Sequence, residues 1–169
     1  MAEKILILDF GSQFTQLIAR RIRELNIYSE IIPYNKFTEI TSDIKGVILS
    51  GSPFSVNDTN APDIDFEVTK LSVPVLGLCY GAQLLAKKHG GVVSQSAHRE
   101  YGRAPLSHHN GSGIFNEISQ NSVVWMSHGD TITKLPEQFV PLADTENGSL
   151  AAYRIDGREI YGLQLHPEV

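Results

Sequence analysis

The sequence predicts an α/β fold, a three-layer sandwich with a mostly parallel central sheet that is extended by antiparallel strands. In the first half of the chain, short apolar runs alternate with segments of helical periodicity, which is the pattern of a parallel sheet with crossover helices. From Gly90 onward the apolar segments become shorter and are separated by turn residues. This second pattern is typical of antiparallel strands.

The first half is predicted to contain four strands and three helices. Lys4–Asp9 is a continuous apolar run, as expected of a strand buried on both faces. Ser12 is placed to cap a helix that runs to about Leu25, with Asn26 as its terminator. The other predicted elements are strands at 28–33, 46–50 and 73–79, and helices at 63–71 and 80–89.

The second half is predicted to be β-structure. Its segments lie at 92–93, 122–126, 139–142, 150–155 and 160–165. Asp156-Gly157, between the last two segments, is a strong hairpin signal because both residue types tolerate the backbone of a tight turn. A length of 169 residues suits one compact domain.

Charge and composition argue against nucleic-acid binding, membrane association and a disulfide-bonded protein. The net charge of −5 and the pI of 5.6 argue against free nucleic-acid binding, which usually needs a basic face. The cluster Arg20, Arg21 and Arg23 is interpreted as the solvated side of a helix. No apolar run approaches the roughly 20 residues that span a bilayer, so we expect no membrane association. The single cysteine excludes an internal disulfide and favours the cytoplasm.

Metal and phosphate sites are also not expected. His98, His108 and His109 lie near one another in sequence, but they lack a second ligand type and any recognised ligand spacing. The chain contains no glycine-rich loop of the kind that cradles phosphates.

Three segments with distinctive residues lie at the carboxyl ends of predicted strands, where ligands bind in folds of this type. One is Gly77-Leu78-Cys79-Tyr80-Gly81, between a strand and a helix. A cysteine there sits at a helix N-terminus, which favours the thiolate, and the Tyr80 N–H is placed to meet a carbonyl oxygen under attack. The flanking glycines leave room for a sharp turn. The alternative interpretation is a buried, inert cysteine.

The second segment, His166-Pro167-Glu168, offers a base and its orienting carboxylate. A residue before proline is extended, so side chains two positions apart point in similar directions. The alternative is an ordinary surface turn. A further histidine, His128, lies in what is predicted to be a polar turn after the strand at 122–126. Spacing alone does not decide whether His128 or His166 serves Cys79.

The third segment, Ser50-Gly51-Ser52-Pro53, can supply a second oxyanion donor from the backbone near Gly51. The alternative is a connecting turn.

These segments together resemble the class I glutamine amidotransferase family. Five motifs carry the resemblance: Ile7-Leu8-Asp9-Phe10-Gly11-Ser12-Gln13, Gly77-Leu78-Cys79-Tyr80-Gly81-Ala82-Gln83, Arg99-Glu100-Tyr101-Gly102, Trp125-Met126-Ser127-His128-Gly129-Asp130 and Gln164-Leu165-His166-Pro167-Glu168. The resemblance implies a Cys79–His166–Glu168 triad that hydrolyses the side-chain amide of glutamine. It also implies an oxyanion hole at Gly51 and Tyr80. The glutamine backbone charges would be recognised by Gln83, Ser127, Gly129 and Asp130.

The resemblance further implies a partner. Residues 1–169 would be a glutaminase domain without its closing C-terminal segment and the synthetase domain that follows. Ammonia would pass to an ATP-pyrophosphatase synthetase domain, in the same chain or as a subunit, that holds ATP and Mg and aminates xanthosine monophosphate (XMP). This domain itself would need no cofactor, and a homodimer of the full enzyme is possible. One departure is Ser52, where the family usually has glycine, which would be costly if that position needs a positive φ.

Three alternatives remain open at this point. The same chemistry could serve the synthesis of anthranilate, carbamoyl phosphate or CTP. A non-catalytic module could keep the fold and sense glutamine or dock a synthetase. A hydrolase could use the same elbow on another substrate, such as a peptide.

Overall fold

The computed structural model of the protein describes residues 2–108 and 113–169, with the side chains of residues 97–100 outside the description. The described residues form one nine-stranded sheet with two α-helices. The helices are α1 (Thr15–Glu24) and α2 (Tyr80–Lys88). The strands are β1 (Lys4–Asp9), β2 (Tyr28–Pro33), β3 (Ile44–Leu49), β4 (Val75–Leu78), β5 (Val92–His108), β6 (Ser122–Lys134), β7 (Phe139–Thr145), β8 (Leu150–Ile155) and β9 (Ile160–Leu163).

The strand order is β2-β1-β3-β4-β9-β8-β7-β5-β6. The first five strands in this order run parallel, and the pairs from β9 through β8, β7 and β5 to β6 are antiparallel. The predicted fold class, a parallel sheet extended by antiparallel strands, is therefore confirmed. The predicted hairpin at Asp156-Gly157 is also present, because β8 pairs with β9 and Gly157 has φ +72°.

The two helices cover opposite faces of the sheet. Leu6 and Leu8 of β1 point into the same apolar cluster as Leu85 of α2. Ile7, between them, points into a second cluster that contains Ile18 of α1. Successive strand residues alternate between the two faces, so β1 is buried on both sides and the fold has three layers.

Two predicted helix features differ from the structure. Helix α1 begins at Thr15 with Phe14 as the N-cap residue, although the Ser12 hydroxyl does accept a hydrogen bond from the Phe14 N–H at 2.9 Å. The predicted end of α1 is confirmed by Asn26, which has φ +63°. The predicted helix at 63–71 is wrong: only Val68–Lys70 forms a single 3₁₀ turn. Burial from residue 62 to 68 alternates with period two, which is the pattern of a non-helical segment.

The largest differences lie in β5 and β6. The predicted strands at 92–93 and 122–126 are the ends of much longer strands that pair along most of their length. The polar residues Ser127 to Asp130, predicted to form a turn, therefore lie inside β6. Pairing with β5 holds them extended despite Gly129. In the described part of the chain, neither helix has the length and apolar character needed to cross a membrane.

Candidate active site

The candidate site residues Gly51, Cys79 and His166 lie just after three neighbouring parallel strands. Strands β3, β4 and β9 lie side by side in the sheet. Gly51 follows β3, Cys79 follows β4, and His166 follows β9. Because parallel strands end at the same edge of a sheet, the three segments meet at one place.

The turn at Cys79 is strained and tightly packed. Cys79 has φ +50° and ψ −104°, a region that L-residues rarely occupy. A Cβ on Gly81 would lie 2.6 Å from the main-chain oxygen of Leu49, and one on Gly77 would lie 2.8 Å from the carbonyl carbon of Gly81. Only glycine fits at both positions, as predicted from the motif. Tyr80 begins α2, so its N–H has no partner within the helix.

His166 and Glu168 form a buried pair. The His166 Nδ1 lies 2.6 Å from the Glu168 Oε1, and both side chains are almost fully enclosed. The Glu168 Oε2 is buried without a hydrogen-bond partner among the described residues. The main chain of Glu168 is held from outside by Arg21 of α1, whose Nε donates to the Glu168 carbonyl at 2.8 Å. Phe14 meets the imidazole of His166 edge-on, at 5.2 Å between ring centroids.

The surroundings of His166 favour its charged form. Burial alone lowers the pKa of this imidazole, but hydrogen bonds to Cys79 and Glu168 and the negative charge of both groups outweigh burial. The pKa of His166 is raised from 6.5 to about 9. An imidazolium next to a cysteine sulfur stabilises the thiolate, which is the nucleophilic form.

His128, the other candidate base, is held differently. Its Nδ1 lies 2.6 Å from the main-chain oxygen of Asp130, and the ring is buried. The His166 ring, by contrast, is hydrogen-bonded both to the Glu168 carboxylate and to Cys79 itself. The geometry therefore favours His166 over His128 as the partner of Cys79, which spacing alone could not decide.

A cavity of about 470 Å³ opens in front of Cys79. Its lining includes Cys79, Tyr80, Gln83, Ser127, Gly129, Asp130 and His166. The Cys79 Sγ lies 3.6 Å from the main-chain oxygen of Ser127. The strand β6 reaches this position because its Met126 bridges to Leu165, just after β9. All four residues expected to recognise glutamine therefore line the same cavity as Cys79 and His166.

Gln83 is oriented by a buried residue to which the sequence motifs gave no role. The Gln83 Nε2 donates to the Gln164 Oε1 at 2.8 Å and to the main-chain oxygen of Asp130 at 3.1 Å. Gln164 is fixed in turn, because its Nε2 donates to the Thr131 hydroxyl and the Leu150 carbonyl. Both protons of the Gln83 amide are used, so its oxygen remains as the acceptor. The signal for Gln164 was a polar residue in the apolar run 160–165.

A second cavity residue without a predicted role is Tyr101, on β5. A Cβ on Gly129 would lie 3.5 Å from its phenol oxygen, so Tyr101 stands next to the predicted recognition residues. Its place in the Arg99-Glu100-Tyr101-Gly102 motif was the available signal.

The segment at Gly51 lies against the triad. A Cβ on Gly51 would be 3.4 Å from the His166 Cε1 and 3.8 Å from the Cys79 Cβ. The Ser50 hydroxyl donates to the Gly51 carbonyl at 2.8 Å and accepts from the Phe10 N–H at 2.9 Å. Neither Gly51 nor Ser52 is among the described residues with positive φ. The condition under which Ser52 would be costly, a positive φ at that position, is therefore not met in this conformation.

Of the three histidines considered as metal ligands, the structure describes the side chain of His108. His108 is buried, stacks on Phe115, and has its Nε2 2.6 Å from the Ile118 carbonyl. The side chain of His98, and all of His109, lie outside the described residues. Within the described part of the chain, no cluster of three or more metal-ligating side chains is found.

Comparison with protein families decides the family of the chain. The family model described as glutamine amidotransferase class-I matches residues 6–169. The chain belongs to the class-I glutamine amidotransferase family. The match covers all three segments of the candidate site.

Curated relatives of this amidotransferase include glutamine-hydrolyzing GMP synthases. The protein from Cytophaga hutchinsonii is 58% identical over 170 residues, which cover 100% of this chain and 33% of the relative. The protein from Bacteroides fragilis is 52% identical, over 100% of this chain and 34% of the relative. The chain thus spans about a third of the length of these relatives.

Solved structures share the architecture of this amidotransferase. A Thermoplasma acidophilum protein, provisionally assigned as a GMP synthase subunit, superposes with a TM-score of 0.85 at 30% identity, covering 100% of this chain and 86% of that one. A glutamine amidotransferase from Thermotoga maritima superposes with a TM-score of 0.81 at 22% identity, covering 100% and 77%. The second likeness concerns the fold alone.

Proposed function

We propose that the chain hydrolyses the side-chain amide of L-glutamine through a cysteine thioester and delivers the ammonia to a synthetase that converts XMP to GMP. The observation that carries the proposal is the buried His166–Glu168 pair, 2.6 Å apart, beside a cysteine on a strained elbow. Family membership and the GMP synthase relatives support the substrate and the acceptor.

The first half of the reaction uses the thiolate–imidazolium pair. The Cys79 thiolate attacks the amide carbon of glutamine, and the carbonyl oxygen becomes an oxyanion. Backbone N–H groups at Gly51 and Tyr80 stabilise that oxyanion. His166 gives its proton to the amide nitrogen, the C–N bond breaks, and ammonia leaves behind a glutamyl thioester on Cys79.

The second half releases glutamate. His166, now neutral, takes a proton from water, and the hydroxide attacks the thioester carbonyl. The C–S bond breaks, which regenerates the Cys79 thiolate beside a protonated His166. Glu168 holds the imidazole in one orientation and stabilises its charge in both halves.

Substrate recognition is proposed to rest on the charges of the glutamine backbone. Among the described residues that line the cavity, Asp130 carries the single carboxylate, and none is a lysine or an arginine. The Asp130 carboxylate and the Gln83 amide oxygen belong to residues that line the same cavity, and both are acceptors that suit an ammonium donor. Backbone groups at Ser127 and Gly129 would meet the α-carboxylate.

Ammonia must reach the acceptor unprotonated, because ammonium is not a nucleophile. We therefore propose that an ATP-pyrophosphatase synthetase domain, in the same chain or as a subunit, holds XMP, ATP and Mg. A cytoplasmic location fits the requirement for a reduced Cys79 thiol.

An isotope experiment tests the proposal. The chain is combined with the synthetase portion of the Cytophaga hutchinsonii relative, XMP, ATP, Mg and glutamine that carries a heavy isotope in its amide nitrogen. We expect labelled GMP from the wild type. The Cys79→Ala variant should form GMP only when an ammonium salt is added. Release of labelled ammonia without labelled GMP, even at saturating XMP, would contradict this acceptor and favour the alternative amidotransferases.

A further inference from the structure

A hydroxyl from a distant loop holds the carboxylate of Asp130. Ser55 lies in the loop after β3, and its Oγ donates to the Asp130 Oδ2 at 2.5 Å across 75 positions of sequence. The carboxylate can only accept, so the direction of this hydrogen bond is fixed. Both residues line the cavity in front of Cys79.

The loop presents this hydroxyl from a defined position. The Ser55 Oγ also accepts from the Asn57 N–H at 3.1 Å, and the Ser55 N–H donates to the Asp58 carboxylate at 2.9 Å. The Asn57 side chain anchors the loop to β5 by donating to the Val93 carbonyl at 2.8 Å. Val56 is buried in the core beneath. Ser55 is therefore a preorganised donor.

Different residues hold the main chain and the side chain of Asp130 by hydrogen bonds. Its main-chain oxygen accepts from the Gln83 amide and lies 2.6 Å from the His128 Nδ1. Its side chain, by contrast, receives a hydrogen bond from Ser55. Among the described residues, the Ser55 hydroxyl is the hydrogen-bond donor that restricts rotation of this carboxylate about its side-chain bonds. Among the described residues no hydrogen bond to the Oδ1 is found, so this oxygen can accept from a ligand in the cavity.

We propose that Ser55 is a positioning residue that fixes the Asp130 carboxylate for the α-ammonium group of the substrate. The inference rests on the proposed function and deepens it, because it assigns the selection of an α-amino acid to a contact between the β3 loop and β6. In this role Ser55 acts through Asp130 and not on the side-chain amide of the substrate or on Cys79. Its loss should weaken binding of amino-acid ligands and leave the reactivity of the thiol unchanged.

Two alkylating reagents separate these effects. A diazoketone analogue of L-glutamine carries the α-ammonium group, and iodoacetamide does not. We expect Ser55→Ala to raise the concentration for half-maximal labelling by the diazoketone about tenfold, the usual effect of losing one hydrogen bond to a charged group. The limiting rate at saturation and the rate with iodoacetamide should stay within about twofold of the wild type.

Two further variants complete the design. Ser55→Thr keeps the hydroxyl and should restore labelling close to the wild-type concentration. Ser94→Ala removes a hydroxyl that lies 3.3 Å from the Thr133 hydroxyl of β6, on the exposed surface, and should behave as the wild type with both reagents.

The outcomes distinguish this inference from the function on which it rests. If the wild type is labelled and Ser55→Ala is labelled equally well, the positioning role is wrong. A parallel drop with iodoacetamide would also overturn it, because the effect would then be a general disturbance of the site. If the wild type itself reacts only with iodoacetamide, the proposed function fails, and the inference fails with it.

Discussion

Cys79 is held in a costly backbone conformation by hydrogen bonds on both sides. Its N–H donates to the Leu163 carbonyl at 2.7 Å, and its carbonyl accepts from the Gln83 N–H at 3.0 Å. Conformations of this kind cost about 1–3 kcal/mol each and persist only when the surroundings determine them. The first bond comes from β9, the strand that leads to His166. Nucleophile and base are thus placed by one shared contact.

The triad roles predict a ranking of variants. Cys79→Ala should reduce glutamine hydrolysis by roughly 10⁴-fold or more, because no other group can form the thioester. Glu168→Gln should cost about one to two orders of magnitude less, since the imidazole keeps its place but loses the stabilising charge. Release of ammonia from glutamine measures both. Equal losses in the two variants would contradict the assignment of Glu168 as an orienting group.

The His166–Glu168 pair predicts an elevated imidazole pKa. Titration of the His166 ring by NMR should give a pKa of about 9 in the wild type, with a lower value in Glu168→Gln. A folded-state pKa above the unfolded value stabilises the fold at low pH. This contribution is fully present below pH 6.5 and is lost as the pH rises to about 9. A wild-type pKa near 6.5 would contradict the thiolate–imidazolium pair.

Individual site residues were predictable when a motif carried them. Cys79 and His166 stand in motifs whose spacing has a physical reason, a tight strand–helix turn and an extended residue before proline. Ser55 had no such signal, because a serine in a loop rich in turn residues is ordinary. Its role depends on β6 passing opposite the loop, which local sequence does not encode.

At the scale of elements, the strand–turn–helix unit of β4 and α2 depends on two glycines. Gly81→Ala would place a Cβ 2.6 Å from the Leu49 main-chain oxygen, and main-chain atoms cannot yield as a flexible side chain can. We expect a loss of about 1–3 kcal/mol in unfolding free energy and a displaced Cys79 that reacts poorly with glutamine analogues. Urea unfolding and thiol labelling measure the two effects.

A suitable control is Gly148→Ala, in the turn between β7 and β8. Gly148 has φ +79° with no atom within 4 Å of an added Cβ, so the variant tests backbone strain without a clash. It should lose about 1–2 kcal/mol and label normally. Normal labelling of Gly81→Ala would contradict the packing argument for the elbow.

The end of α1 provides a prediction about helix termination. Asn26, just after the C-cap residue Leu25, has φ +63°, a conformation that glycine adopts without strain. Asn26→Gly should leave the unfolding free energy equal or slightly higher. Asn26→Ala should lower it by about 1 kcal/mol. Urea unfolding of the three proteins checks the order, and an alanine variant as stable as the glycine variant would contradict it.

Element predictions succeeded where the periodicity was unambiguous and failed where tertiary pairing decided. The apolar run Lys4–Asp9 predicts a strand buried on both faces, and the structure confirms it as β1. The sequence predicts a helix at 63–71, whereas the burial of this segment in the structure alternates with period two over its first half. The polar residues of β6 resemble a turn in isolation. They stay extended because β5 pairs with them, which is a contact between distant parts of the chain.

At the scale of the whole molecule, chain order and sheet order differ, and the site depends on that difference. Strand β9, the last of the described strands in sequence, inserts next to β4 in the middle of the sheet. This brings His166 to the carboxyl end of the strand that precedes Cys79. The sequence predicted that the three segments would share one edge of a parallel sheet. It could not predict that the long β5–β6 ribbon supplies the wall of the cavity.

The central claim is that Cys79 is a nucleophile directed at glutamine. It is tested most directly by covalent labelling with a diazoketone analogue of L-glutamine, followed by intact-mass measurement and peptide mapping, with excess glutamine as competitor. We expect a single adduct on Cys79 that glutamine suppresses. An adduct that glutamine does not suppress, or no adduct on a folded protein even beside the synthetase, would contradict the claim.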